Sequence, residues 1–371
     1  MAGGHVGTTA ICSLGDGADE LSYRGLAIQG LAEHATFEEV AFLLTRGQLP
    51  SAAELEAYQA RLVSLREPSG ALMDLLDQVP DEGGPLALMD VLRTVFSFLG
   101  TIEPEEGPDG LLTAADRALA LTPGLMVAWE RARSGERIRP LSDEPSTAGH
   151  VLRLLQPDGF DEIDRRFLDV SLVLYAELAF NASTFACRVC ASTRADFHSC
   201  VTAATATLRG PLHGGASVAV SALLDRFQSP TEASEGLRAM LTARERVMGF
   251  GHAVFRTMDP RTPILREWAE KLGVAKGEEG PFAVALAIEE VMRTEKRLFP
   301  NVDFYTACAY RMLALPIRLF GPLFLCARLA GWTAHIAEQR TRGGLIHPSA
   351  AYDGPRPHVF VPLVERDQSH K

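Results

Sequence analysis

The sequence predicts a mostly α-helical protein, and three observations carry that prediction. Segments that open on Ser or Thr with a glutamate three residues later run into apolar residues at helical spacing. Long β-branched runs, the mark of a parallel sheet with crossover helices, are missing. Neither a GxGxxG after a strand nor a GxxxxGK[ST] loop occurs, which removes the usual nucleotide-binding α/β folds. With 371 residues, 47% of them hydrophobic, the chain can build two domains, or one with an insertion, around a large core.

Taken in order, residues 6–31 alternate over short stretches broken by turn signals at residues 13–19 and 23–25, and predict a few short strands or an ordered arm. From Thr36 helical periodicity takes over. Thr36-Phe-Glu-Glu39 reads as a capping box ahead of Val40, Phe42, Leu43 and Leu44, and Ser51-Ala-Ala-Glu54 repeats the signature. One helical segment follows Gly84 and breaks at Pro104, Gly107 and Pro108; residues 135–146 form a second polar break. Residues 167–180 are apolar almost all round, as a central buried helix is. They lead through Asn181-Ala-Ser-Thr-Phe185 into a segment of small residues ending at Arg209-Gly-Pro, where helix backbones can approach closely. Asp259-Pro260 reads as an N-cap and first turn, Ile264, Leu265, Trp268, Ala269 and Leu272 share one face of the helix, and Gly273 stops it.

Net charge is −11, from 36 basic and 47 acidic residues, which argues against nucleic acid or an anionic membrane as a general partner. An anionic ligand must therefore find a local arginine cluster. The N-terminus lacks a basic and apolar signal pattern. The apolar stretches at 167–180 and 313–332 are interrupted by charges, as buried helices are and membrane spans are not. Six cysteines sit mostly in apolar helical patterns, the distribution expected of free thiols in a reducing compartment; a cytoplasmic location is the expectation.

Three turns stand out chemically: His213 in GPLHGG, His252 in GFGHAVFR and Asp303 in PNVDFY. Each puts a proton-transfer group at an element boundary beside Gly or Pro. Glycine lets a backbone pass close to a ligand, and Arg256 and Arg261 follow His252 closely, so residues 249–261 read either as a turn that binds an anion or as an ordinary loop with a surface histidine. One carboxylate and two histidines are a sufficient set for taking a proton from carbon and stabilising the resulting oxyanion. Elsewhere the residues read as structure. Cys187 and Cys190 form a lone CxxC in a helix, which favours core over zinc or redox chemistry. His198 is packing or surface, His335 is a core histidine, Arg340 and Arg342 are solvated, and residues 355–371 fray.

The motifs GPLHGGA, MGFGHAVFRTMDPR, FPNVDFY, NASTF and ARLAGWTAHIAEQ, with their spacing and with the N-terminal SYRGLAIQGLAEHATFEEVAFLL, resemble the citrate synthase family over most of the chain. The resemblance implies a two-domain helical homodimer: a large domain of residues 1–213 and 311–371, and a small one of residues 214–310 that closes over the substrates. It implies condensation of acetyl-CoA with oxaloacetate, followed by thioester hydrolysis, with no metal and no tightly bound cofactor. Asp303 would remove the methyl proton, His213 would hydrogen-bond the thioester oxygen, and His252 would protonate the acceptor ketone. Arg261 and Arg328 match the carboxylate-binding arginines, where a bidentate guanidinium suits a planar anion. Asn181 also falls at the acceptor site. Arg256, Gly214, Gly215 and Gly251 fall where the family meets CoA.

Two positions depart from the family. Leu178 stands where the family carries an acceptor-binding histidine, and His347 stands where the neighbouring subunit usually sends in an arginine. The proton-transfer trio is kept and the acceptor pocket is altered. Alongside citrate synthesis the sequence therefore admits 2-methylcitrate synthesis from propionyl-CoA, condensation with a different 2-oxo acid, or a non-catalytic CoA-binding role.

Overall fold

The computed structural model describes residues 7–15, 20–79, 83–107, 109–357 and 359–366. Residues 16–19 of the turn at 13–19, Pro108 in the first polar break, and residues 358 and 367–371 of the tail lie outside that description. A small antiparallel sheet comes first, in the order Cys12–Ser13, Ser22–Tyr23, Leu26–Ala27, with Tyr23 opposite both Cys12 and Leu26. Tyr23 points inward, and its hydroxyl donates to the carbonyl of Glu177 at 3.0 Å. That contact pins the arm to the end of the helix Glu162–Tyr175. The remaining regular elements among the described residues are helices, the first of them Ile28–His34, ahead of the predicted onset at Thr36.

The local signals read from sequence are largely met. Both capping boxes form: Thr36 with Glu39, and Ser51 with Glu54. Each satisfies two backbone groups that a helix start leaves open. The apolar run at 167–180 splits. Its helix stops at Tyr175, and residues 176–180 make the turn that leads to Asn181, which caps Ala182–Ser192.

The core is organised on Phe320–Arg342, buried along most of its length. It packs against Phe37–Arg46, Gly110–Arg133, Glu162–Tyr175 and Ala182–Ser192. Gly331 makes the closest of these approaches possible: a Cβ there would lie 2.3 Å from Glu177 Oε2 and 2.4 Å from the Ala176 carbonyl oxygen. Gly110–Arg133 is the one helix among the described residues long and apolar enough to cross a membrane, and 78% of its apolar window is buried inside the fold. A second group, Ala216–Leu224, Pro230–Thr242, Thr262–Lys276, Glu279–Val291 and Val302–Met312, packs mainly on itself. The molecule is thus two-lobed. The lobes meet where Ala216–Leu224 touches Phe320–Arg342 and where Thr262–Lys276 touches Glu162–Tyr175.

Three readings are corrected. Asp259 does not cap a helix; the helix begins at Thr262 with Arg261 at its cap, and Asp259 instead grips Arg261. Gly273 does not end that helix either, which runs to Lys276 and stops at Gly277 in the left-handed conformation. Arg340 is half-buried and engaged rather than solvated, while Arg342 is exposed, as read, and ion-paired at the surface. Arg340 pairs with Glu105 and donates to the Ala195 carbonyl, while Arg342 pairs with Glu338 and donates to Thr8. The six cysteines are unpaired, five of them buried and Cys190 half-buried.

Candidate active site

The turn at Gly249 is built around glycine for a steric reason. Its φ is +89°, and a Cβ there would lie 2.6 Å from Val220 Cγ2, so any side chain would be strained and crowded. Gly251, at φ +75°, donates its N–H to the Phe299 carbonyl at 2.8 Å, and Asn301 N–H donates back to the Gly249 carbonyl at 2.9 Å. Asn301 also donates its side-chain amide to the Gly251 carbonyl and accepts the N–H of Asp303 at 3.1 Å. The His252 turn and the first turn of the Asp303 helix are therefore stitched together.

His252 has its tautomer set by this turn. Its Nδ1 accepts the backbone N–H of Val254 at 3.1 Å and of Phe255 at 3.2 Å, so Nδ1 is bare and Nε2 carries the proton. Burial and the nearby Arg261 push the imidazole down to about 4, so at neutral pH it is an uncharged N–H donor. His213, in the turn after Phe197–Leu208, is likewise pushed down to about 4 by burial and by Arg328. Its Nε2 lies 2.9 Å from Ser183 Oγ, itself 2.9 Å from Asn181 Oδ1. Asp303 is buried, and that burial raises its carboxyl to about 6 against the opposing pull of the Tyr175 hydroxyl and of Arg261. The Tyr175 hydroxyl donates to Asp303 Oδ1 at 2.7 Å.

The two arginines are in different states. Arg261 is fully buried and makes a bidentate pair with Asp259, Nε to Oδ1 at 2.9 Å and Nη2 to Oδ2 at 2.7 Å. Burial alone would lower it, but the carboxylate holds it above the usual arginine range. Arg328 is equally buried, donates Nε to the Tyr175 carbonyl at 2.8 Å, and lays its guanidinium 4.7 Å from the Phe324 ring. Its two amino groups are buried without a partner. Unpaired buried donors on a cation are costly, so this group is poised for an anion.

These groups line one cavity of about 1080 Å³: His213, His252, Asp303, Arg261, Arg328, Asn181, Leu178 and Gly251 all contribute to its wall. Leu178 and Phe180 flank Ala179, whose φ of +45° is unusual for a residue with a side chain. Asn181 ties the turn by donating its amide to the Leu178 carbonyl at 3.2 Å. The other sequence candidates lie off this wall in the single chain. Gly214 and Gly215 are buried, and added Cβ atoms would fall 2.6 Å from the Leu208 carbonyl oxygen and 2.9 Å from Pro211 Cα, so they let the His213 turn close. Arg256 and His347 are exposed. His335 sits behind the cavity as a satisfied core histidine, with Nε2 2.9 Å from Glu177 and Nδ1 3.0 Å from Arg188. His198 is buried packing against Phe197. Among the described residues no cluster of His, Cys, Asp or Glu could hold a metal ion. Sequence reasoning missed Tyr175 and Ser183. A lone hydroxyl in an apolar helix carries no signal when its partner lies 128 or 30 residues away.

A neutral-histidine pair, a raised carboxylate and an unsatisfied arginine around one interlobe cavity define an enzyme that works on a carbon acid and an anion. The chain belongs to the citrate synthase family: it matches the family described as citrate synthase, C-terminal domain, over residues 1–349. It is 42% identical to the 2-methylcitrate synthase of Shewanella oneidensis over 367 residues, covering 99% of this chain and 97% of that one. It is 38% identical to the 2-methylcitrate synthase of Mycobacterium tuberculosis, covering 97% of this chain and 91% of that one. Its fold matches the citrate synthase of Thermoplasma acidophilum solved as a ternary complex with carboxymethyl coenzyme A and oxaloacetate. That match has a TM-score of 0.88 at 27% identity and covers 98% of this chain and 97% of the other. The chain is accordingly an acyl-CoA-condensing transferase.

Proposed function

We propose that this enzyme condenses a short-chain acyl-CoA with a 2-oxo acid and then hydrolyses the thioester, with propionyl-CoA and oxaloacetate giving 2-methylcitrate as the leading pair. The observation that carries the chemistry is the single cavity shared by Asp303, His213, His252 and Arg328. The names of the similar proteins move propionyl-CoA, second in the sequence reading, ahead of acetyl-CoA.

In this reading Asp303 takes the α-proton of the thioester; a carboxyl raised to about 6 is a stronger base than a free one and is still ionised at pH 7. In the structure Ser183 gives its one hydroxyl proton to Asn181 Oδ1 and accepts from His213 Nε2. When substrate binds, Ser183 turns that proton to Nε2, the proton of the neutral ring sits on Nδ1, and it can meet the thioester oxygen as the enol forms. The enol carbon attacks the ketone carbon of the acceptor, and His252 gives its Nε2 proton to the new alkoxide. Arg328 and Arg261 hold acceptor carboxylate. Water then cleaves the thioester, releasing CoA. Arg256, Gly214, Gly215 and Gly251 belong to the CoA side, and the lobe of residues 214–310 closes over both substrates.

We further propose a homodimer. Past Gly343 the chain is still held at Ile346, whose N–H donates to Ser192 Oγ at 3.1 Å, and it carries exposed Leu345, Tyr352, Phe360 and Leu363, an apolar load that a second copy would cover. This segment would bring His347 toward the partner's cavity. The test is CoA release, followed with a thiol reagent, from acetyl-CoA and propionyl-CoA as oxaloacetate is titrated in. Release with a higher kcat/KM for propionyl-CoA is expected. Release from acetyl-CoA alone would restore the citrate synthase reading, and silence with oxaloacetate and with a panel of other 2-oxo acids would overturn the proposal.

A further inference from the structure

Tyr175 is the last residue of the helix Glu162–Tyr175 and is fully buried. It makes three contacts that converge on the cavity. Its hydroxyl donates to Asp303 Oδ1 at 2.7 Å, its carbonyl accepts from Arg328 Nε at 2.8 Å, and its ring lies 4.5 Å from that of Phe324. Phe324 in turn meets the His213 ring edge-on at 5.6 Å and the Arg328 guanidinium at 4.7 Å. Tyr175 itself does not line the cavity. One residue of the large lobe thus touches the base and the carboxylate-binding cation directly, and reaches the thioester-facing histidine through one ring.

We infer that Tyr175 is a positioning residue: its hydroxyl orients the Asp303 carboxylate and holds it ionised against its burial. A hydrogen bond donated to a carboxylate favours the charged form. The other groups facing this pair are accounted for. Arg261 and Arg328 also favour the ionised Asp303 and Asp259 opposes it. Thr306 and Tyr310 face Tyr175 from the Asp303 helix, and the two cavity histidines are neutral near pH 7. With these unchanged, removal of the hydroxyl leaves burial less opposed and Asp303 protonates at higher pH.

The inference rests on the proposed role of Asp303 as base, and the test separates the two. The purified full-length enzyme is given propionyl-CoA in deuterated buffer, and α-deuterium wash-in is followed from pH 5 to pH 9. Tyr175→Phe, which keeps the ring and its packing, is expected to move the acidic limb upward by about one pH unit and to approach the wild-type rate above pH 8. Site-specific 3-fluorotyrosine at position 175, a stronger donor of nearly the same shape, is expected to move the limb downward. A limb that stays put in both variants would overturn the inference, as would a pH-independent loss in Tyr175→Phe. If the wild-type protein itself exchanges no deuterium, the proposed role of Asp303 fails instead.

Discussion

On one wall of the cavity, between His252 and Asp303, the chain supplies its own partners: Nδ1 of the histidine accepts two backbone N–H groups, Asn301 bridges both turns, and Tyr175 donates to the carboxylate. At a second part of the wall, Arg328 holds two buried amino groups with no partner, and Leu178, which also lines the cavity, has no polar side-chain atom to offer a ligand. The difference separates two tasks. Proton transfer needs groups preorganised before substrate arrives, since reorganisation during reaction raises the barrier. Anion recognition can leave a donor unsatisfied until the ligand supplies its complement.

Breaking the first wall should have the largest effect. Asp303→Asn removes the base, and both deuterium exchange and CoA release are expected to fall by at least about a thousandfold, within the usual range for such a group. Loss of condensation with exchange intact would show that another residue takes the proton. Breaking the second wall should divide the two half-reactions. Arg328→Met is expected to raise the KM for the 2-oxo acid by tens- to thousands-fold, from a loss on the order of 2–5 kcal/mol, while acyl-CoA exchange changes much less. Equal loss in both assays would mean that Arg328 serves the fold or the donor side.

A smaller change sharpens the comparison. Leu178→His restores a polar group to the acceptor wall, and a roughly tenfold lower oxaloacetate KM is expected from one hydrogen bond to a carboxylate. An unchanged KM would refute the idea that Leu178 weakens oxaloacetate binding.

The last effect is on stability. Burial raises Asp303 from its ordinary value of 3.8 to about 6 in the folded protein, so the folded state binds its proton more tightly than the unfolded chain does. That stabilisation is fully present below about pH 4 and is lost as pH rises through about 6. At pH 7.5 Asp303→Asn should therefore melt a few degrees above the wild type, with the gap closing at pH 4. A melting temperature lower at both pH values would contradict the assigned burial cost.

Most of the fold was legible because its signals are local. The Thr36 and Ser51 capping boxes involve residues three apart, and both form as read. Asp259 carried an equally local N-cap signal, yet its carboxylate is taken by the Arg261 side chain and by the Val302 N–H, 43 residues on. A buried ion pair two residues away, together with one long-range backbone N–H, outcompeted a cap. Gly273 and Gly277 look alike in sequence. The helix passes through the first, where a Cβ would come 3.4 Å from the Glu278 carbonyl oxygen, and stops at the second, which takes the left-handed turn. In the site, His213, His252 and Asp303 could be found because each sits in a Gly- or Pro-marked turn. Tyr175 could not, since only the packing of two lobes brings it to Asp303. Arg340 looked solvated because its carboxylate partner, Glu105, lies 235 residues away.

The pair of backbone amides that caps His252 also has a consequence for chemical labelling. Acylating reagents such as diethyl pyrocarbonate attack the lone pair of an unprotonated ring nitrogen. In this ring that lone pair is turned into the protein backbone, and the nitrogen on the cavity side carries the hydrogen instead. His252 is thereby shielded from electrophiles without being shielded from substrate, whereas the solvent-facing ring of His34, three-quarters exposed, has no such protection and would be modified first.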